Sequence, residues 1–171
     1  MAITLRAAVP EDEAFLLGVY ASTRARELAR APWDETQKQA FVEMQFRSQL
    51  SYYREQFPEA AHEIILSDKQ PVGRIYVSRE EKEIRILDIT LLPAHRNHGT
   101  GSSLLKQLLN EGEQQGKTVQ IFVETDNPSL GLFRRLDFSV VDSDEYNLLL
   151  EWRPSSFRES STTREEVSGI L

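Results

Sequence analysis

The stretch Glu83 to Asn110, EIRILDITLLPAHRNHGTGSSLLKQLLN, constrains the fold more than any other part of the chain. Ile84, Ile86, Ile89 and Leu91 are β-formers gathered in a short apolar run, Pro93 stops the strand, and Gly99 and Gly101 flank Thr100. Leu104, Leu105, Leu108 and Leu109 then take up a helical period. The product is a strand, a glycine-bearing turn and an amphipathic helix. Such a turn lets the backbone come close to a guest, and the helix start behind it offers unpaired amides and partial positive charge, which suits phosphate or another anion. Pyrophosphate is the natural guest. A dinucleotide fingerprint requires a third glycine where this chain has Leu104, and an NTPase phosphate loop requires Gly-Lys-Ser/Thr, which is absent. Both fail on spacing.

Taken from its start, the chain predicts a short strand at Ile3 to Arg6 and a helix opened by Val9-Pro10-Glu11-Asp12-Glu13, with Phe15, Leu16, Val19 and Tyr20 on its apolar face. Thr23 to Pro32 is rich in Arg and Ala and breaks at Pro32-Trp33. A second helix follows with Asp34 as N-cap and Phe41, Met44, Leu50, Tyr53 and Phe57 as its apolar positions up to Pro58. The period then becomes that of strands: Glu63 to Ser67, a turn at Asp68-Lys69-Gln70, and Pro71 to Ser78 form a hairpin. Arg79 to Lys82 turn into the strand from Glu83, so three antiparallel strands precede the glycine turn. After the Leu104 to Gln115 helix, Gly116 is a C-cap and Val119 to Val123 a strand, whose strand, helix, strand order implies a parallel crossover. Thr125-Asp126-Asn127-Pro128 opens a short helix carrying Leu130, Leu132, Phe133 and Leu136. Phe138 to Val141 and Tyr146 to Trp152 are the last strands, joined across Asp142 to Glu145.

At 171 residues, 40% hydrophobic and 27% charged, the chain suits one soluble domain with a buried core. Residues 1–153 form that domain; 154–171, rich in Ser, Thr, Arg and Glu, are expected to be a disordered tail. Without cysteine there is no disulfide framework, thiolate nucleophile or thiolate metal ligand, and no signal-peptide layout opens the chain, so the cytoplasm is the expected compartment. No apolar run approaches the ~20 residues that cross a bilayer. The net charge of −7 disfavours non-specific nucleic-acid binding and favours, weakly, cationic substrates. No nucleic-acid or membrane partner is therefore expected.

Arg96-Asn97-His98-Gly99-Thr100-Gly101 resembles the acetyl-CoA signature of the GCN5-related N-acetyltransferase (GNAT) family, Arg/Gln-x-x-Gly-x-Gly/Ala after a strand. A second segment, Asn127 to Phe138, is similar in register to the family's Asn-Pro-x-x-x-Leu-Tyr-x-x-Leu-Gly-Phe. The likeness covers roughly Ile3 to Trp152. It implies a mixed α/β fold with a central, mostly antiparallel twisted sheet flanked by helices, and acetyl-CoA as co-substrate without a metal. Two positions depart from the pattern: the family's tyrosine, which can protonate the leaving thiolate, is Phe133, and a family glycine is Asp137, which tolerates left-handed backbone.

The resemblance implies that amides of Asn97, His98, Gly99, Thr100 and Gly101, with the Ser102 hydroxyl and Arg96, hold the pyrophosphate. The backbone near Leu91 and Leu92 would pair with the pantetheine arm, and Asn127 would fix it from the other side, beside Phe133. Acetyl transfer requires a neutral amine; for a lysine-like amine of pKa ~10.4 this is about 4 to 5 kcal/mol at neutral pH. A carboxylate base acting through one water would supply it. Asp88 and Glu124 are the first candidates, with Glu83 behind them; Tyr76 or Tyr146 would replace the missing tyrosine as acid, or no side chain protonates the thiolate, which is a tolerable leaving group. The expected acceptor is a primary amine of a small molecule or peptide, attacked directly in a ternary complex; a homodimer is compatible with the family.

Plainer readings stand beside these. His95 and His98 suit a solvated or phosphate-facing pair better than a metal site, and Ser102 and Ser103 lack the context of a nucleophile elbow. Arg134 and Arg135 fit either a solvated helix face or the 3′-phosphate of the coenzyme. Trp33, Met44, Tyr52 and Tyr53 read as helix packing. The alternative of a different class is a non-catalytic acyl-CoA-binding or regulatory module, and Phe133 is what favours it.

Overall fold

The computed structural model describes residues 2–157. Its strands are β1 (Ile3–Ala7), β2 (Ala61–Ser67), β3 (Gln70–Arg79), β4 (Glu83–Leu91), β5 (Thr118–Glu124), β6 (Ser139–Ser143) and β7 (Asn147–Trp152). The helices are α1 (Glu13–Ala29), α2 (Glu35–Gln56), α3 (Thr100–Gln115) and α4 (Leu130–Arg135). The seven strands are ordered β1-β2-β3-β4-β5-β7-β6, mostly antiparallel and flanked by helices, the mixed α/β architecture expected. The chain divides into two units, Met1–Ser78 with Leu87–Gly101 and Arg79–Ile86 with Ser102–Leu171.

In the first unit, β1 is tied to the start of α1 by a fork: Arg6 donates to both oxygens of Asp12 at 2.8 Å, and the Val9 amide donates to the same carboxylate at 2.9 Å. Asp34 caps α2 by accepting from the Gln37 amide at 2.8 Å, and the Gln37 side chain accepts from the Asp34 amide at 3.0 Å. The helices bury Leu16, Tyr20, Val42 and Phe46 together with Ile64 of β2. The buried face of α2 differs in part from the expected one. Val42, Phe46, Gln49 and Tyr53 recur at helical spacing, whereas Met44 is 57% exposed and Tyr52 56%. Of the expected apolar positions, Phe41, Leu50, Tyr53 and Phe57 are half-buried and Leu50 packs on the core, so Met44 is the one that faces out, while the inner face adds Val42, Phe46 and Gln49. Trp33, also exposed, rests on Phe41 at 5.0 Å. Between β2 and β3 the turn has two residues, Asp68 (φ 48°) and Lys69 (φ 70°), while Gln70, expected in the turn, pairs with Ser67. Two successive left-handed residues match the twist of a hairpin.

In the second unit, Glu83–Ile86 of β4 pair in parallel with Thr118–Ile121 of β5. Helix α3 starts at Thr100, four residues earlier than its leucine period suggests. Near its end it comes so close to the sheet that a Cβ at Gly112 would lie 2.9 Å from the Lys117 carbonyl and 3.0 Å from the Trp152 ring. Gly116 (φ 65°) ends the helix, and Asp137 (φ 67°) takes the left-handed turn after α4. Strand β7 lies between β5 and β6 and is antiparallel to both. Of the expected tail, Pro154 is buried and the Ser155 amide donates to the Glu113 carboxylate at 3.1 Å, so its first residues are placed against α3; residues 158–171 lie outside the described ones. No helix of the described residues is long and apolar enough to cross a membrane.

Candidate functional site

The second half of β4 leads into the glycine turn within the first unit. Leu92 donates its amide to the Val72 carbonyl at 2.8 Å, and a 3-10 turn over Pro93–His95 follows. Opposite, Gly73 cannot carry a side chain: a Cβ there would lie 2.2 Å from the Thr90 carbonyl oxygen and 3.0 Å from Leu91 Cα. Arg96 folds back, Nε donating to the Leu91 carbonyl at 2.8 Å and Nη2 to Ser22 Oγ at 3.4 Å. Its guanidinium thus braces the end of the strand, a contact the sequence did not suggest.

Asn97 (φ 64°) and Gly99 (φ 83°) both adopt left-handed backbone, and α3 begins at the buried Thr100. Among the described residues no backbone carbonyl accepts from the amides of Asn97, His98 or Gly99, and the first amides of a helix have no intrahelical acceptor. Nothing lies within 4 Å of a Cβ built on Gly99, and only Leu91 Cδ1, at 4.0 Å, approaches one on Gly101. The turn therefore combines unspent donors, a helix start and open space above Gly99, which fits a phosphate-bearing guest. Ser102 follows in the first turn of α3.

Behind the strand lies a polar cluster. Arg74, on β3 and 1% exposed, donates from Nε to Asp88 Oδ2 at 2.6 Å and from Nη2 to Gln49 Oε1, with its guanidinium 5.9 Å from the Phe46 ring. Thr90 Oγ1 donates to the same carboxylate, 3.0 and 3.1 Å from its two oxygens. Asp88 is therefore already engaged by two partners, although its side chain retains 24% exposure. The Tyr53 hydroxyl donates to the Leu87 carbonyl at 2.9 Å. Burial, and next the charge of Asp88, push its phenol well above the ordinary range. Tyr76 meets Tyr53 edge-on at 5.2 Å and stacks on His62 at 4.2 Å. Burial, then Arg74, hold His62 down at about 4, which keeps it neutral. Arg74 Nη1 and His62 Nε2 are buried with no hydrogen-bond partner among the described residues.

The sequence pointed to Asp88 but missed Arg74, Gln49, Tyr53 and His62 as parts of this cluster. One signal was legible: an arginine inside the strand Val72 to Val77 demands a buried acceptor, and Asp88 is an acid within a similarly apolar strand.

Leu91, Leu92, Arg96 through Gly101 and Asp88 thus share the first unit, whereas Glu124, Asn127, Phe133 and Tyr146 belong to the second. Glu124 is exposed at the end of β5, opposite Asn147. The Asn127 carboxamide accepts from the Ser129 amide at 2.7 Å, opening the approach to α4. Phe133 is 3% exposed and packs edge-on against Phe138 at 5.3 Å. Tyr146 is 68% exposed, and its carbonyl accepts from the Thr125 amide at 3.0 Å. Glu83 is in reach of Arg85, 3.4 Å away. Among the described residues no group of three or more His, Cys, Asp or Glu is placed to hold a metal ion.

Residues 13–138 match the family model of the GNAT acetyltransferases. The chain belongs to this family. Its fold is that of solved GNAT structures, each of low sequence identity. The PaiA N-acetyltransferase of Thermoplasma acidophilum, solved in complex with coenzyme A, is 17% identical with a TM-score of 0.65, over 90% of this chain and 99% of that one. An acetyltransferase of Thermus thermophilus is 16% identical with a TM-score of 0.64, over 90% and 97%. The yncA protein of Salmonella typhimurium, solved with its cofactor acetyl-CoA, is 19% identical with a TM-score of 0.55, over 90% and 94%. No curated protein matches the chain in sequence. As a GNAT acetyltransferase, the protein carries its glycine turn where β4 hands over to α3, with the Arg74–Asp88 pair behind the same strand.

Proposed function

We propose that the protein is an acetyl-CoA-dependent N-acetyltransferase acting on a primary amine of a small molecule or peptide. The observation that carries this reading is the turn at Asn97 to Gly101, with left-handed backbone at Asn97 and Gly99 and open space above Gly99. Its amides and the Ser102 hydroxyl are the proposed pyrophosphate ligands, and the main chain of Leu91 and Leu92 is the proposed rail for the pantetheine arm. Asn127 and Phe133 are further residues proposed, on the family resemblance, to touch the coenzyme. Acetyl-CoA would supply an activated acyl group; the chain's part is to hold it, orient the amine and take a proton.

The amine proton passes, in this reading, to a carboxylate through one water, with Glu124 or Asp88 as acceptor, and the neutral amine attacks the thioester carbon directly. Backbone amides near Leu91 polarise the carbonyl. Tyr146 is the proposed acid for the departing thiolate, because Phe133 has no proton to give. The experiment is thiol release from acetyl-CoA with polyamines, amino acids, aminoglycosides and peptide amines, beside calorimetry of coenzyme binding. Turnover of an amine supports the reading. Tight coenzyme binding with no turnover would favour an acyl-CoA-binding module, to which the buried, proton-less Phe133 lends its support.

A further inference from the structure

Helix α2 engages the middle of β4, at Leu87 and Asp88, with three residues of one face. Phe46, Gln49 and Tyr53 recur at i, i+3 and i+7, a spacing that stacks side chains along one side of a helix. Phe46 lies beside the Arg74 guanidinium, Gln49 accepts from Arg74 Nη2, and Arg74 Nε holds Asp88. Tyr53 donates to the carbonyl of Leu87, the residue before Asp88. The main chain and a side chain of one dipeptide are thus both fixed from the same helix. Burying the Tyr53 ring does not itself require a hydroxyl, since its edge-on contact with Tyr76 is one a phenylalanine would make equally well.

We propose that Tyr53 and Gln49 are positioning residues for acetyl transfer: through the Leu87 carbonyl and the Arg74–Asp88 pair they set the β4 segment on which the acyl donor lies. The inference rests on the coenzyme-binding reading of Leu91 and Leu92 given above. Displacing a reacting group by about 1 Å suffices for a 100-fold loss of rate, so a contact that touches neither substrate has leverage here. A purely structural hydroxyl would instead change melting and leave rate constants alone.

The test compares Tyr53→Phe with Tyr52→Phe, the exposed neighbouring tyrosine, and Gln49→Ala with Gln49→Glu, which keeps an acceptor for Arg74. On the best amine of the panel, kcat of Tyr53→Phe and Gln49→Ala is expected to fall by roughly 10- to 100-fold. The coenzyme Kd is expected to stay within about threefold, because the turn that holds it is untouched. Gln49→Glu should recover most of the rate, and Tyr52→Phe should match the parent. Hydrogen exchange of the peptide spanning Leu87 to Leu92 should quicken selectively in Tyr53→Phe, with the melting temperature within a few degrees of the parent. Parent-like kcat in Tyr53→Phe, or loss of rate in step with a general loss of exchange protection, overturns the proposal. If no amine is turned over, the function proposed above fails and takes the positioning role with it; turnover by the parent with unchanged exchange of that peptide in Tyr53→Phe overturns this inference alone.

Discussion

Two glycines carry different burdens. At Gly73 a Cβ would meet main-chain atoms of β4, which cannot rotate away, so Gly73→Ala is expected to destabilise by about 1 to 3 kcal/mol, read as a drop of several degrees in melting temperature. At Gly99 the surrounding space is open and the constraint is φ alone. Gly99→Ala is expected to strain the turn by about 1 to 2 kcal/mol and raise the acetyl-CoA Kd by roughly tenfold, measured by calorimetry. Gly99 was legible from its spacing to Gly101; Gly73 was not, because the contact that forbids its side chain comes from a strand about seventeen positions away. Two titrating groups give a pH signature. His62 is held near 4 against an ordinary 6.5, so the unfolded chain binds the proton first and stability falls as pH drops from about 6.5 to 4. Asp12 is held down to about 2 by the Arg6 fork and then the Val9 amide; that stabilisation is present above the ordinary 3.8 and is lost as pH falls toward 2. Melting curves across this range should show two separate acid losses, and His62→Gln should remove the upper one.

At the scale of elements, the order of strands and helices was readable from periodicity, while the side of α2 that faces inward was readable only in part. Its N-terminus was plain: Asp34 and Gln37 form the capping box, and Asp34→Ala should lower stability by about 1 kcal/mol, measured by denaturant unfolding. Tyr53 was expected to pack, but its bond to the Leu87 carbonyl and the inward Gln49, which accepts from Arg74, were not, while Met44 and Tyr52 remain exposed. Asp88→Asn tests the consequence. It weakens the partner of a guanidinium buried to 1%, so a loss of about 3 kcal/mol or more is expected beside any effect on rate. Glu124→Gln, which keeps the size of a side chain at an exposed strand end, probes the other candidate base and is expected to lower kcat if that carboxylate takes the proton.

For the molecule as a whole, two short motifs in the right order pointed to the family, which residues 13–138 match, and the turn at Asn97 to Gly101 rests on main-chain geometry that few residues permit. The acceptor side was not legible: side chains near the acetyl carbon would come from elements far apart in sequence, and no spacing encodes them. Asp88, singled out as a candidate base, is bound to an arginine that no local pattern linked to it. The most direct measurement is thiol release from acetyl-CoA across a panel of primary amines, with the product identified by mass spectrometry. An acetyl group gained on nitrogen, with acetyl-CoA bound more tightly than ATP or NAD, is the expected result. Failure to bind acetyl-CoA in preference to those nucleotides, or binding with no amine acetylated, would contradict it.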